Sequence, residues 1–202
     1  MKKGEKRKRE LIQLAYRLFV SKGYEHTSVD EIIEEAGIAK GTYYYYFKSK
    51  EQMLEEVIEM MLEAEAEKAT AVLHSDLSIP EKIVGIIASI HPAQEEQTIE
   101  EALHRPENLL MHNKIRERVF DLIVPILSQA AEEGVKEGLF SCGHIPERVR
   151  MIMILSSDLF DEHHAFTAAV VDVFIDAVEK ILGAKQGTMG FIKALISPAE
   201  EH

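Results

Sequence analysis

Cysteine is nearly absent. Cys142 is the only one in 202 residues, which excludes an intramolecular disulfide and any zinc module built on several thiolates. Tryptophan is missing altogether, and no apolar run approaches the ~18 residues that a membrane span requires. The basic first ten residues run into an amphipathic pattern, not an apolar segment with a small-residue cleavage site, so a cytoplasmic chain without a leader is expected. Alternating β-branched residues, the mark of half-buried strands, are scarce. No phosphate loop, nucleophile elbow or paired-carboxylate arrangement is visible, so no enzyme and no cofactor are expected. Nine histidines are present, but Glu162-His163-His164 sits where a helix starts, and no set of three or four convergent ligands emerges; no metal site is expected.

What the chain does have is charge, distributed unevenly. The formal net charge is -12. Residues 1–50 hold 11 Lys and Arg against 7 Asp and Glu, whereas residues 51–202 hold 12 against 28. Only the first fifty residues could approach a phosphate backbone favourably; the remainder would be repelled.

Periodicity predicts an all-α protein. Ile12, Ala15, Leu18 and Phe19 share one face of a helix over Lys6 to Lys22, stopped by Gly23. Ser28 opens a short helix through Ala36, with Val29, Ile32, Ile33 and Ala36 inward and Gly37 at its end; Glu31 is placed to complete a capping box. A third helix over about Lys40 to Phe47 precedes a second box, Ser49 to Gln52, which launches a long helix towards Leu73. Two short helices around a tight glycine turn form the helix-turn-helix signature. Further helices are expected from Pro80 to Ile90, where Pro92 interrupts, from Gln94 to His104, from Glu107 to Lys136 with a bend at Pro125, from Pro146 to Phe160 and from His164 to Leu182.

In the third helix only every third or fourth residue can face a core, so Tyr43 and Phe47 point inward together while Tyr44 and Tyr45 cannot. Gly41 lets the backbone approach DNA closely. Thr42, Tyr44 and Tyr45 are then the side chains placed to reach the major groove. The basic run Lys2, Lys3, Lys6, Arg7, Lys8 and Arg9 reads as a flexible arm for the backbone or minor groove.

Taken together, Ala15-Tyr16-Arg17-Leu18-Phe19, Lys22-Gly23-Tyr24, Thr27-Ser28-Val29, Ile32, Ala36-Gly37-Ile38, Lys40-Gly41-Thr42-Tyr43-Tyr44-Tyr45-Tyr46-Phe47 and Ser49-Lys50-Glu51 with Leu54 resemble the TetR family of bacterial repressors. The resemblance implies a helix-turn-helix domain over residues 1–50 and a larger helical ligand-binding and dimerisation domain over residues 51–202. It also implies phosphate contacts from Thr27, Lys40, Tyr46 and Lys50, with Lys50 aided by the N-terminal dipole of the fourth helix. Two positions depart from the family: Ala39 replaces a usual Ser or Thr cap, and Ile33 replaces a small residue.

The expected partners are double-stranded operator DNA of palindromic sequence, a second copy of the chain in a homodimer, and an unknown small-molecule effector that releases the DNA. Val149, Ile152, Phe166, Val170, Val173, Phe174, Ala177 and Ile181 are the candidate dimer surface. Met60, Met61, Met111, Phe120, Met151 and Met153 are candidates for an adaptable apolar ligand pocket. A constitutive architectural DNA binder, or a redox or metal sensor using Cys142 or the histidines, is the alternative.

Overall fold

A computed structural model describes residues 3–90, 96–105, 108–160 and 166–196. Among them the regular structure is entirely helical. The helices are α1 (Lys3–Lys22), α2 (Val29–Glu35), α3 (Lys40–Tyr46), α4 (Lys50–Leu73), α5 (Ile79–Ser89), α6 (Gln97–Leu103), α7 (Leu109–Lys136), α8 (Ile145–Leu159) and α9 (Ala168–Leu182), then a 3-10 turn (Gly190–Ile192) leading into α10 (Lys193–Ile196). Pro125 lies inside α7 without ending it. Lys2, His91, Pro92, Gln94, Glu107, His163 and His164 lie outside the described residues.

The chain forms two compact units, Met1–Glu65 with Pro92–Arg118, and Ala66–His91 with Val119–His202. A division at residue 50 therefore does not coincide with compactness.

In the first unit the expected face of α1 is buried: Ile12, Ala15, Leu18 and Phe19 all lie in the core, joined by Leu11. Phe19 meets Tyr24 edge-on at 5.2 Å, an arrangement that favours the positive ring edge on the negative face. α6 is fastened to α1 by the Thr98 hydroxyl, which donates to Phe19 O at 3.0 Å, and by Tyr16, whose hydroxyl donates to Glu96 at 2.7 Å. Between α1 and α2, Thr27 is buried and its hydroxyl donates to Gly23 O at 2.9 Å.

The second unit packs Leu73, Ile83, Ile86, Phe120, Ile123, Leu127, Phe140, Val171, Phe174, Ile175 and Val178 into one core. The Phe140 ring lies where a side chain on Gly134 would stand, 2.5 Å from a Cβ there. α9 ends at Gly183 with φ 64°, and the Ser141 carbonyl sits against its α-carbon on the side a Cβ would occupy. Glu179, buried on α9, accepts the Met189 N–H at 3.0 Å. That bond places Met189 and Ile192 of the tail in the same core.

Two substitutions test these constraints by urea denaturation. Gly183→Ala combines a left-handed backbone cost of ~1–2 kcal/mol with a backbone clash, and a loss of at least ~2 kcal/mol is expected; a loss under half that would contradict the close approach. Thr27→Val keeps the shape and removes the donor, so ~1–2 kcal/mol should be lost; unchanged stability would show the hydroxyl to be idle.

Candidate nucleic-acid interface

α2 begins where Ser28 accepts the Glu31 N–H at 3.1 Å. The Glu31 carboxylate, drawn on by the Ser28 backbone N–H, also pairs with Lys22 at the end of α1. The chain then turns through Gly37, whose φ of 59° is open to glycine at no steric cost. The carbonyl of Ala36, left without an intrahelical partner at the end of α2, accepts from Arg7 Nη2 at 3.2 Å. α3 starts at Lys40 behind Ala39, which supplies no side-chain cap. α4 is capped by Ser49, which accepts the Gln52 N–H at 3.2 Å, while the Gln52 amide reaches the Lys48 N–H at 2.7 Å.

α3 divides as its periodicity requires. Tyr43 and Phe47 are fully buried, with ring centroids 5.5 Å apart, and the Tyr43 hydroxyl donates to Ser49 O at 3.3 Å. Burial, with lesser contributions from Tyr44 and Glu51, pushes the Tyr43 phenol up to about 12, so it stays a neutral donor. On the opposite face Tyr44 is 46% and Tyr45 82% exposed. Gly41 is exposed, and a Cβ there would meet nothing within 4 Å. Thr42 and Tyr46 are half-buried. Tyr45 and Tyr46 pack edge-on at 5.0 Å, and the Tyr46 hydroxyl lies beside Gly4.

The surrounding cations are held by protein groups. Lys40 pairs with Asp30 at 3.0 Å, both ends exposed, and this carboxylate raises the ammonium pKa. Lys50 lies over the Tyr24 ring at 4.1 Å and points at Glu25 O at 3.5 Å; burial, opposed in part by Glu25 and Glu51, lowers its pKa. Thr27, expected to touch phosphate, is instead buried with its hydroxyl committed to backbone carbonyls, so its role is to hold the turn before α2. The basic run is not a flexible arm from Lys3 onward: it is the first two turns of α1. Within it, Arg7 closes α2, and Lys8 pairs with Glu56 of α4 at 2.6 Å while lying 5.9 Å from the Phe47 ring centre. Lys48, exposed after α3, is a further cation that the motif did not single out. Its only sequence signal is its charge.

The candidate pocket residues are dispersed. Met60, Met61 and Met111 are half-buried in the first unit. In the second, Phe120 is a core residue beneath the Arg150 guanidinium at 5.5 Å, Met153 packs half-buried on the core, and Met151 is 54% exposed. Met151 therefore faces outward, not into a pocket. Sequence reasoning missed Ser128, whose buried hydroxyl has no hydrogen-bond partner among the described residues.

The candidate dimer surface divides too. Val149 and Phe174 are buried in their own unit's core and cannot meet a partner. Ile152 and Phe166 are half-buried against that core, and Val170, Ala177 and Ile181 are half-buried, while Val173 is 68% exposed. The outward apolar stripe of α8 is Met151, Ile154, Leu155 and Leu159, spaced as one helical face. It lies on roughly the opposite side of α8 from Val149, since Met151 follows two residues later, a rotation of about 200°.

The helix-turn-helix coincides with a known sequence family. Residues 11–57 match the model of bacterial regulatory proteins of the tetR family. The HTH-type transcriptional repressor KstR2 of Mycolicibacterium smegmatis is 35% identical over 116 residues, covering 57% of this chain and 53% of that protein. The fatty acid metabolism regulator protein of Bacillus subtilis is 32% identical over 151 residues, covering 69% of this chain and 76% of that one. In fold, the crystal structure of a TetR-family regulator from Mesorhizobium loti superposes with a TM-score of 0.58 at 20% identity, covering 91% of this chain and 98% of the other. With a matching reader motif, a relative of sufficient identity over most of its length and a shared all-helical fold, the chain belongs to the TetR family of bacterial transcriptional regulators.

Proposed function

We propose that this chain is a ligand-responsive repressor: a homodimer that reads a palindromic operator through α3 and leaves it when a small molecule binds. The observation that carries the DNA-binding part is the outer face of α3. Glycine there costs up to ~1 kcal/mol of helix stability relative to alanine, and neither packing nor a positive φ at Gly41 offsets that cost. A bare helix surface beside Thr42, Tyr44 and Tyr45 has a use outside the protein. It lets a duplex approach the backbone while the hydroxyls and rings reach base edges and thymine methyls. Lys40, Lys50 and Tyr46 flank this surface as candidate phosphate anchors, which fix register without reading sequence.

Dimerisation is supported by the outward stripe of α8 with Val173 of α9. Burying each such side chain yields ~1.5–3 kcal/mol, and a two-fold pairing makes the patch its own complement. Two readers related by that axis require an inverted-repeat operator. Effector response needs only a molecule that prefers the conformer unable to bind DNA. The buried Ser128 hydroxyl, without a hydrogen-bond partner among the described residues, is a group that a polar effector atom would satisfy. Nothing in this reading calls for catalysis or a cofactor, and regulation of DNA is a cytoplasmic task.

An operator selected from a random duplex pool supplies the probe. Gly41→Ala is expected to raise the melting temperature slightly yet weaken operator binding by at least about tenfold in gel shifts, the loss expected when a base-reading contact is displaced. Wild-type affinity in this variant would remove the central support for α3 as the reader. In sedimentation at micromolar concentration the wild type should run as a dimer and Ile154→Asp as a folded monomer with weakened operator binding. A monomeric wild type, or a dimeric Ile154→Asp, would refute the α8 surface.

A further inference from the structure

Two consecutive carboxylates in the first turn of α2 each hold a lysine from another helix. Glu31 holds Lys22 at the end of α1, and Asp30 holds Lys40, the first residue of α3. The second pair is the more exposed of the two. Both side chains are well exposed, at 63% for Lys40 and 76% for Asp30. Exposed pairs contribute little to folding. Nor is Asp30 needed to start α2, since Ser28 accepts the first free amide. The pair nevertheless occupies the ammonium that opens α3, next to Gly41 in the chain and close enough to Tyr44 for the two to interact electrostatically.

We propose that Asp30 sets the affinity of the reader by holding Lys40 as an internal substitute for a backbone phosphate, so that binding DNA requires the phosphate to displace it. The proposal rests on the reading of Lys40 as a phosphate anchor. A carboxylate and a phosphate oxygen offer the ammonium the same charge-assisted bond. Only one can hold it in the same geometry, and the displaced carboxylate is left close to the incoming anion. Asp30 therefore opposes binding twice, by competition and by repulsion. It also flattens the salt dependence. A phosphate neutralised by Lys40 sheds condensed counterions, but the freed Asp30 recruits a cation in exchange. The effect is independent of base sequence, so it lowers binding to random DNA as much as to the operator.

The test uses the full-length chain with a mixed-sequence duplex and with the selected operator, titrated between about 50 and 200 mM salt. D30N keeps the side chain's shape and removes its charge. It is expected to bind both duplexes about three- to tenfold more tightly at the low-salt end, and to steepen the plot of log affinity against log salt by up to ~0.9, one additional counterion release. Its melting curve should coincide with that of the wild type. K40M is expected to weaken binding, and adding D30N to K40M should then improve affinity clearly less than D30N does alone, since only the repulsion between Asp30 and the phosphate is left to relieve. A D30N variant that binds no better than wild type, or one that gains as much in the K40M background, overturns the role given to Asp30 while leaving DNA binding itself intact. A K40M variant that binds like wild type, or a wild type that binds neither duplex, overturns this proposal together with the reading beneath it.

Discussion

The direction in which α3 presents its side chains rests on two rings set one turn apart. Tyr43 and Phe47 are both fully buried, and each such burial is worth ~1.5–3 kcal/mol, with a further ~0.5–1.5 kcal/mol from the ring pair. A helix of seven residues is too short to hold itself in water. Its orientation is imposed by this pair, by the Tyr43 hydroxyl on Ser49 O and by the α4 cap that follows. Once those are in place, 100° per residue leaves Tyr44 and Tyr45 no direction but outward. The same constraint places Gly41 on the open side, where its missing side chain leaves room for a partner.

Around this hydrophobic anchor the electrostatics are nearly self-cancelling. The first fifty residues are net basic, yet Lys8, Lys22 and Lys40 each face a carboxylate within the same unit. Lys50 is drawn over the Tyr24 ring, where desolvation lowers its pKa. Such an arrangement keeps a DNA reader from adhering to every phosphate it meets, because nonspecific affinity is dominated by counterion release from unpaired cations. On the reading proposed for α3, specific contacts from Tyr44 and Tyr45 would then carry a larger share of the discrimination.

The second unit shows how one helix can serve two surfaces. Val149 of α8 lies in the core, whereas Met151, Ile154, Leu155 and Leu159 form an outward apolar stripe. α9 likewise buries Val171, Phe174, Ile175 and Val178 while leaving Val173 exposed. Apolar residues around most of a helix mean burial on both sides, and an exposed stripe of this kind marks a place for another surface. The core side of α9 is joined by the tail through Glu179 and Met189, away from the exposed Val173.

Local rules made the helix order and the faces of α3 legible in the sequence. Caps, glycine stops and the 3.6-residue period act over three or four residues, so short spacings were enough to name Ser28, Ser49, Gly37 and the inward pair Tyr43 and Phe47. The family motif depends on the same short spacings. What only the tertiary structure decided involves residues that the chain brings back from afar. Arg7 reaches Ala36 across 29 positions, Lys8 reaches Glu56 across 48, and Lys40 meets Asp30 across 10. Thr27 turned inward because Gly23 O needed its hydroxyl, and Val149 and Met151 exchanged their expected places. Periodicity tells that a helix has an apolar side, but which apolar side meets the core is set by the neighbouring helices. The helix-turn-helix and the exposed face of α3 are thus written in local sequence, while its anchoring bonds, its counter-ions and the outward surface of α8 belong to the folded chain.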